Sequence, residues 1–108
     1  MTARRIGYMP EDKNYEAIGR YVEALEAFGS AKIEVSNLLG DISRAIGTAT
    51  AFGPKHDPAR AYVPDVGKLR ELVGRLDAAV EKLVAIAAEV NAYADDARRE
   101  KVEVVVTK

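Results

Sequence analysis

Cysteine is absent from the 108 residues, so the chain has neither a disulfide framework nor a thiolate metal site. Histidine is nearly absent: His56 stands alone, and a zinc site needs several nitrogen or sulfur ligands. No cofactor and no metal are therefore expected. Long apolar runs are missing as well; none approaches the roughly 20 residues of a membrane span. Met1 to Tyr8 hold the pair Arg4-Arg5 with no apolar stretch behind it, so a signal peptide is not expected. Excess charge of one sign is the last absence. With 16 basic and 17 acidic residues the net charge is -1, and no basic field exists to hold a phosphate backbone. The expected setting is cytoplasmic, with signal-less export as the alternative, and neither nucleic acid nor membrane is an expected partner.

What is present is helical periodicity. Val66, Leu69, Val73, Leu76, Val80, Leu83, Ala87, Val90, Ala94 and Ala97 alternate spacings of three and four, with no polar residue on the row. A strand alternates its faces every second residue, so this row belongs to a long helix. The length indicates one domain. It divides into an arm over 1–13, a first helix over 14–50, a proline-rich linker over 51–64, a second helix over 65–99 and a tail over 101–108. Asn14 and Asp65 are N-cap candidates, and Gly53-Pro54 is a helix stop. Two helices of about 50 Å each, joined by a proline-rich loop, fold back as an antiparallel hairpin. The β-branched tail, Val102 to Thr107, reads as a strand, and Arg5 to Met9 as a weaker one with which it could pair.

Such a hairpin is not expected to stand alone. A second seam on helix two (Leu72, Leu76, Ala79, Leu83, Ile86, Val90, Tyr93, Ala97) widens the apolar stripe beyond what one partner helix covers. Helix one has a large apolar row: Ile18, Val22, Leu25, Phe28, Val35, Leu39, Ile42, Ile46 and Ala49. Its register slips near Lys32. Helix one also has a small-residue row: Gly29, Ile33, Ser36, Gly40, Ser43, Gly47 and Thr50. Glycine in a helix costs about 1 kcal/mol relative to alanine, so several on one face suggest close approach of another backbone; the alternative is a poorly optimised solvent face. The expected contact between copies therefore comprises Gly29, Ile33, Ser36, Gly40, Ser43 and Gly47 of helix one with Leu72, Ala79, Ile86 and Tyr93 of helix two.

Residues with chemical potential read more simply as structure. Asp57 could orient His56, but no motif marks a nucleophile beside it. The helix carboxylates lie off the apolar rows among Lys and Arg, as on a solvated face. Tyr15, Tyr21 and Phe28 fall at helical spacing and read as core. No glycine pattern cradles a phosphate. Phe52, His56, Arg60 and Tyr62 gather binding-prone residue types in the linker, and Val104 and Val106 could dock as part of a strand, so these six are the candidate contacts with another protein.

In length and outline the chain resembles the small secreted helical hairpins whose turn carries a Trp-x-Gly motif. Here the turn begins Ala51-Phe52-Gly53, and Ala97 stands four residues after Tyr93, where those hairpins place an acid. The resemblance therefore implies shape and no activity. The expected fold is all-α: an antiparallel helical hairpin self-associating into a four-helix or larger bundle, with a short C-terminal β-strand. The expected function is non-catalytic, a structural or adaptor protein acting through that bundle. One alternative is a protein-binding component of a secretion or phage-type assembly, acting through the linker tip or tail. Another is a ligand carrier or enzyme with a pocket in the bundle.

Overall fold

The structure, a computed structural model, consists of two helices packed against each other, α1 (Ala3–Phe52) and α2 (Val66–Ala97). It describes the backbone of residues 3–52 and 58–107, and side chains from Tyr15 onward apart from Thr48, Ala51 and Phe52. No described residue lies in a strand. Two compact units are present: a terminal unit of Met1–Ala31 with Lys82–Lys108, and a linker unit of Lys32–Glu81. The terminal unit joins the early part of α1 to the late part of α2. The linker unit joins the late part of α1 to the early part of α2. The two helices are therefore antiparallel within each unit.

Local chemistry sets the ends of α2. Asp65 is its N-cap: Oδ1 accepts the Lys68 amide at 3.0 Å, and the Asp65 carbonyl accepts Leu69 N–H at 3.0 Å. At the other end Arg98 N–H donates to the Asp95 carbonyl at 3.3 Å and Arg99 N–H to the Ala94 carbonyl at 3.0 Å. These are the two bonds of a Schellman stop. Arg98 fills its left-handed position with φ of 56°, where glycine is the unstrained residue.

The start of α1 departs from expectation. Residues 3–13 are helical, so Arg5 to Met9 are not a strand and Asn14 is not a cap. Ala3, Arg4, Arg5, Met9, Glu11 and Lys13 favour helix, and Pro10 removes a single backbone bond, the one to the Ile6 carbonyl.

In the linker unit Leu38, Leu72 and Ala79 form the buried cluster, with Val35, Ile42, Ala45 and Leu76 packed on it. The terminal unit buries Tyr21, Ala24, Phe28 and Ala31 of α1 with Leu83, Ala87, Val90, Ala94 and Ala97 of α2. On α1 the inward row is thus Tyr21, Ala24, Phe28, Ala31, Val35, Leu38, Ile42, Ala45 and Ala49, alternating three and four without a break. This corrects the larger row expected from side-chain size, because Val22, Leu25, Leu39 and Ile46 are exposed. No register slip exists at Lys32: the inward residue there is Ala31. Tyr15 is exposed too, while Tyr21 and Phe28 belong to the core. Alanine on the seam brings the helices close, and close helices leave their flanking positions outside.

The tail is not a strand. Residues 99–107 are irregular, and the N-terminal arm that was to pair with them is helical. A ladder needs a neighbouring backbone; the tail has a side chain instead, described below.

Replacing Asp65 with alanine removes the cap and should lower stability by about 1 kcal/mol. Arg98→Gly relieves the left-handed strain and should raise it by about 0.5–1 kcal/mol. Urea midpoints at unchanged slope measure both; an Arg98→Gly variant less stable than the parent contradicts the strain.

Candidate functional site

The candidate surface follows from the heptad phase. On α1 the inward residues Leu38 and Ala45 are each followed by an outward apolar one, Leu39 and Ile46. On α2 Leu72 and Ala79 are followed by Val73 and Val80, and the cap Asp65 by Val66. All five therefore occupy the same heptad position, e, immediately past the second seam position of each heptad. Antiparallel helices bring e positions to one side of the seam and g positions to the other. Leu39 (51% exposed), Ile46 (44%), Val66 (51%), Val73 (52%) and Val80 (36%) thus share one face of the linker unit. Lys32 is the charged member of that row. The opposite side is polar, with Glu34 and Asp41 from α1 and Lys68 and Arg75 from α2. Arg75 pairs with Glu71 at 2.7 Å, and Arg44 pairs with Asp41.

Along α2 the apolar face dips into an open groove of about 690 Å³ floored by Val66, Leu69, Val73, Leu76 and Val80. Arg70, Gly74 and Asp77 line it as well. The terminal unit has a smaller groove of about 280 Å³ lined by Arg20, Glu23, Ala24, Ala27, Glu89 and Tyr93. Its charged side chains are solvated, and Arg20 pairs with Glu16 at 3.7 Å across one turn.

A second feature of the terminal unit fixes the tail. Val102 N–H donates to Asn91 Oδ1 at 2.7 Å, and Asn91 Nδ2 donates to the Val102 carbonyl at 3.0 Å. The carboxamide thereby offers Val102 the donor and acceptor that a neighbouring strand would offer. Tyr21 donates its hydroxyl proton to the Glu100 carbonyl at 2.9 Å, and Lys101 lies 3.5 Å from Asp95. Val102 and Val104 are half-buried while Glu103 and Val105 are exposed.

The residues expected at a contact between copies are dispersed. Leu72 and Ala79 are buried inside the chain, and Ile86 and Tyr93 are half-buried. On the small-residue row Gly29 and Gly40 are half-buried; Ile33, Ser36, Ser43 and Gly47 are exposed. A Cβ added at Gly29 or Gly47 would meet nothing within 4 Å, and one at Gly40 would meet Arg44 Nη1 at 3.7 Å. Among the described residues no second backbone comes within 4 Å of a Cβ placed at these three glycines. Of the candidate partner contacts, Arg60 and Val106 are exposed, Tyr62 and Val104 half-buried. His56 and the Phe52 side chain lie outside the described residues. The sequence pattern missed the e row as a surface because it placed those large residues inside. On α1, counting alanine as a seam residue would have exposed Leu39 and Ile46; on α2, Val66, Val73 and Val80 were read as the main seam, whereas in the linker unit the second seam, through Leu72 and Ala79, is the buried one.

Among the described residues no group of three His, Cys, Asp or Glu is disposed to hold a metal ion, and no helix is long and apolar enough to cross a membrane. No family model, curated protein or solved structure matches the chain.

Asn91→Ala should free the tail while leaving helix content unchanged, because position 91 lies off the seam. The Val102 amide should then exchange at least about tenfold faster in hydrogen-exchange measurements. An unchanged rate means that Asn91 does not hold the tail.

Proposed function

We propose that this chain is a non-catalytic structural or adaptor element that acts by assembling copies of its helical hairpin into a bundle of four or more helices. The observation that carries the reading is the apolar e row of the linker unit. Its five large side chains expose roughly 80 Å² each, about 400 Å² together, which is the size of the largest apolar patch on an ordinary monomer. Covering that area is favourable by on the order of 10 kcal/mol, as large as the whole stability of a small domain. Ordering and loss of free motion on association oppose it with about 4–15 kcal/mol, so assembly at micromolar concentration is within reach.

Sedimentation equilibrium at micromolar concentration tests the proposal. The expected mass is at least twice the chain's 11.7 kDa. A folded monomer throughout that range sinks it.

The tail favours a second reading, a protein-binding component acting by strand addition. Beyond the Asn91 contact Val105 and Val106 are exposed, and among the described residues the backbone of 103–107 makes no hydrogen bond. Deleting 103–108 should abolish capture of a partner on this reading and leave self-assembly intact.

A further inference from the structure

Resting on the assembly reading, we infer that two copies join through the α2 groove of the linker unit. The second copy's α2 lies antiparallel in the groove, about a two-fold axis passing between Val73 and Gly74.

The area is that of a weak pair. The three exposed groove valines, Val66, Val73 and Val80, contribute roughly 80 Å² each, about 480 Å² from two copies. Interfaces of this kind are roughly 60% apolar, so about 800 Å² would be buried in all, the size of a transient, concentration-dependent contact.

The charges choose the occupant. Arg70 and Asp77 stand one heptad apart on the groove, both exposed, and neither makes an ion pair among the described residues. A two-fold operation makes an interface self-complementary: if one residue meets a second, the second meets the first. An antiparallel crossing midway between Arg70 and Asp77 sets each beside its opposite on the other copy, twice over. In a parallel two-fold pair the same edges lie on opposite sides of the interface, so Arg70 and Asp77 of the two copies would not meet. The groove thus carries on its own edge the charge pattern that a second copy of itself requires.

The same register sets Val73 level with Gly74 of the second copy. A Cβ added at Gly74 would meet nothing within 4 Å, so the groove is open there to an incoming valine. A branched side chain over a glycine lets two helices approach closely.

Charge exchange on the full chain tests occupant and register together, with dissociation constants from sedimentation. Arg70→Asp and Asp77→Arg each create two like-charge contacts and should weaken the dimer at least about tenfold; the double variant should return it to within about threefold of the parent. Val73→Glu should give monomer with unchanged helical circular dichroism, since Val73 lies half exposed outside the buried cluster. Gly40→Leu, on the small-residue row, should leave the dimer intact. A parent chain that is monomeric sinks the assembly reading itself. A dimer indifferent to Val73→Glu and to both single exchanges, or broken by Gly40→Leu, leaves assembly standing and overturns this face. Single exchanges that weaken the dimer without rescue by the double variant overturn the antiparallel register.

Discussion

Close packing of α1 on α2 through alanine constrains everything else in this chain. A two-helix protein has one seam, and its burial must come from there. On α1 of the terminal unit large and small residues alternate along the seam, Tyr21, Ala24, Phe28 and Ala31, all buried. On α2 Ala87, Ala94 and Ala97 do the same beside Leu83 and Val90. Small side chains bury little area each, roughly 1 kcal/mol or less. Their effect is geometric: helices that approach closely interdigitate deeply over a narrow stripe. A narrow stripe leaves the flanks wet, and what occupies the flanks then becomes a question of function.

Much of this was legible in the residues. The unbroken three-four spacing on α2 marks a long helix, and the helix is there from Val66 to Ala97. Asp65 as its cap follows from side-chain chemistry alone and is seen in the bond to Lys68. The facing surface of α1 was read from size, and size misleads where the seam is alanine. Ile18, Leu25, Leu39 and Ile46 form a row more hydrophobic than the inward one, yet they flank it. Local propensity also failed at both ends of the chain. Residues 5 to 9 carry strand-compatible side chains, but the surrounding alanine, arginine and glutamate continue the helix. The valines after position 101 carry a strand preference with no ladder beside it.

The tail shows how such a preference is accommodated. A backbone segment lying on a helix has amides and carbonyls that no helical bond reaches. Asn91 answers for one residue, meeting both polar groups of Val102. It can do so because a carboxamide presents a donor and an acceptor side by side, as a peptide does. Arg98 accepts a left-handed backbone so that the chain reverses onto that amide. Arg98 thus closes the helix stop and turns the chain, and the two Asn91 bonds hold Val102 where the turn leaves it.

The two flanks of the linker unit differ in the one property that decides whether a hairpin is complete. On the polar side Glu34, Asp41, Lys68 and Arg75 present charges to water, and the long stems of Lys68 and Arg75 are of the kind that covers apolar surface. Exposed ion pairs there, such as Arg75 with Glu71, are worth a few tenths of a kcal/mol each and ask for no further partner. On the other side Val66, Val73 and Val80 are too short to cover the seam and carry no charge to satisfy water. One flank is a finished surface. The other resembles half of an interior, bordered at Arg70 and Asp77 by charges of opposite sign that no described neighbour meets. A chain with both flanks polar would be a solvated hairpin; the asymmetry of the two flanks is what the proposed assembly rests on.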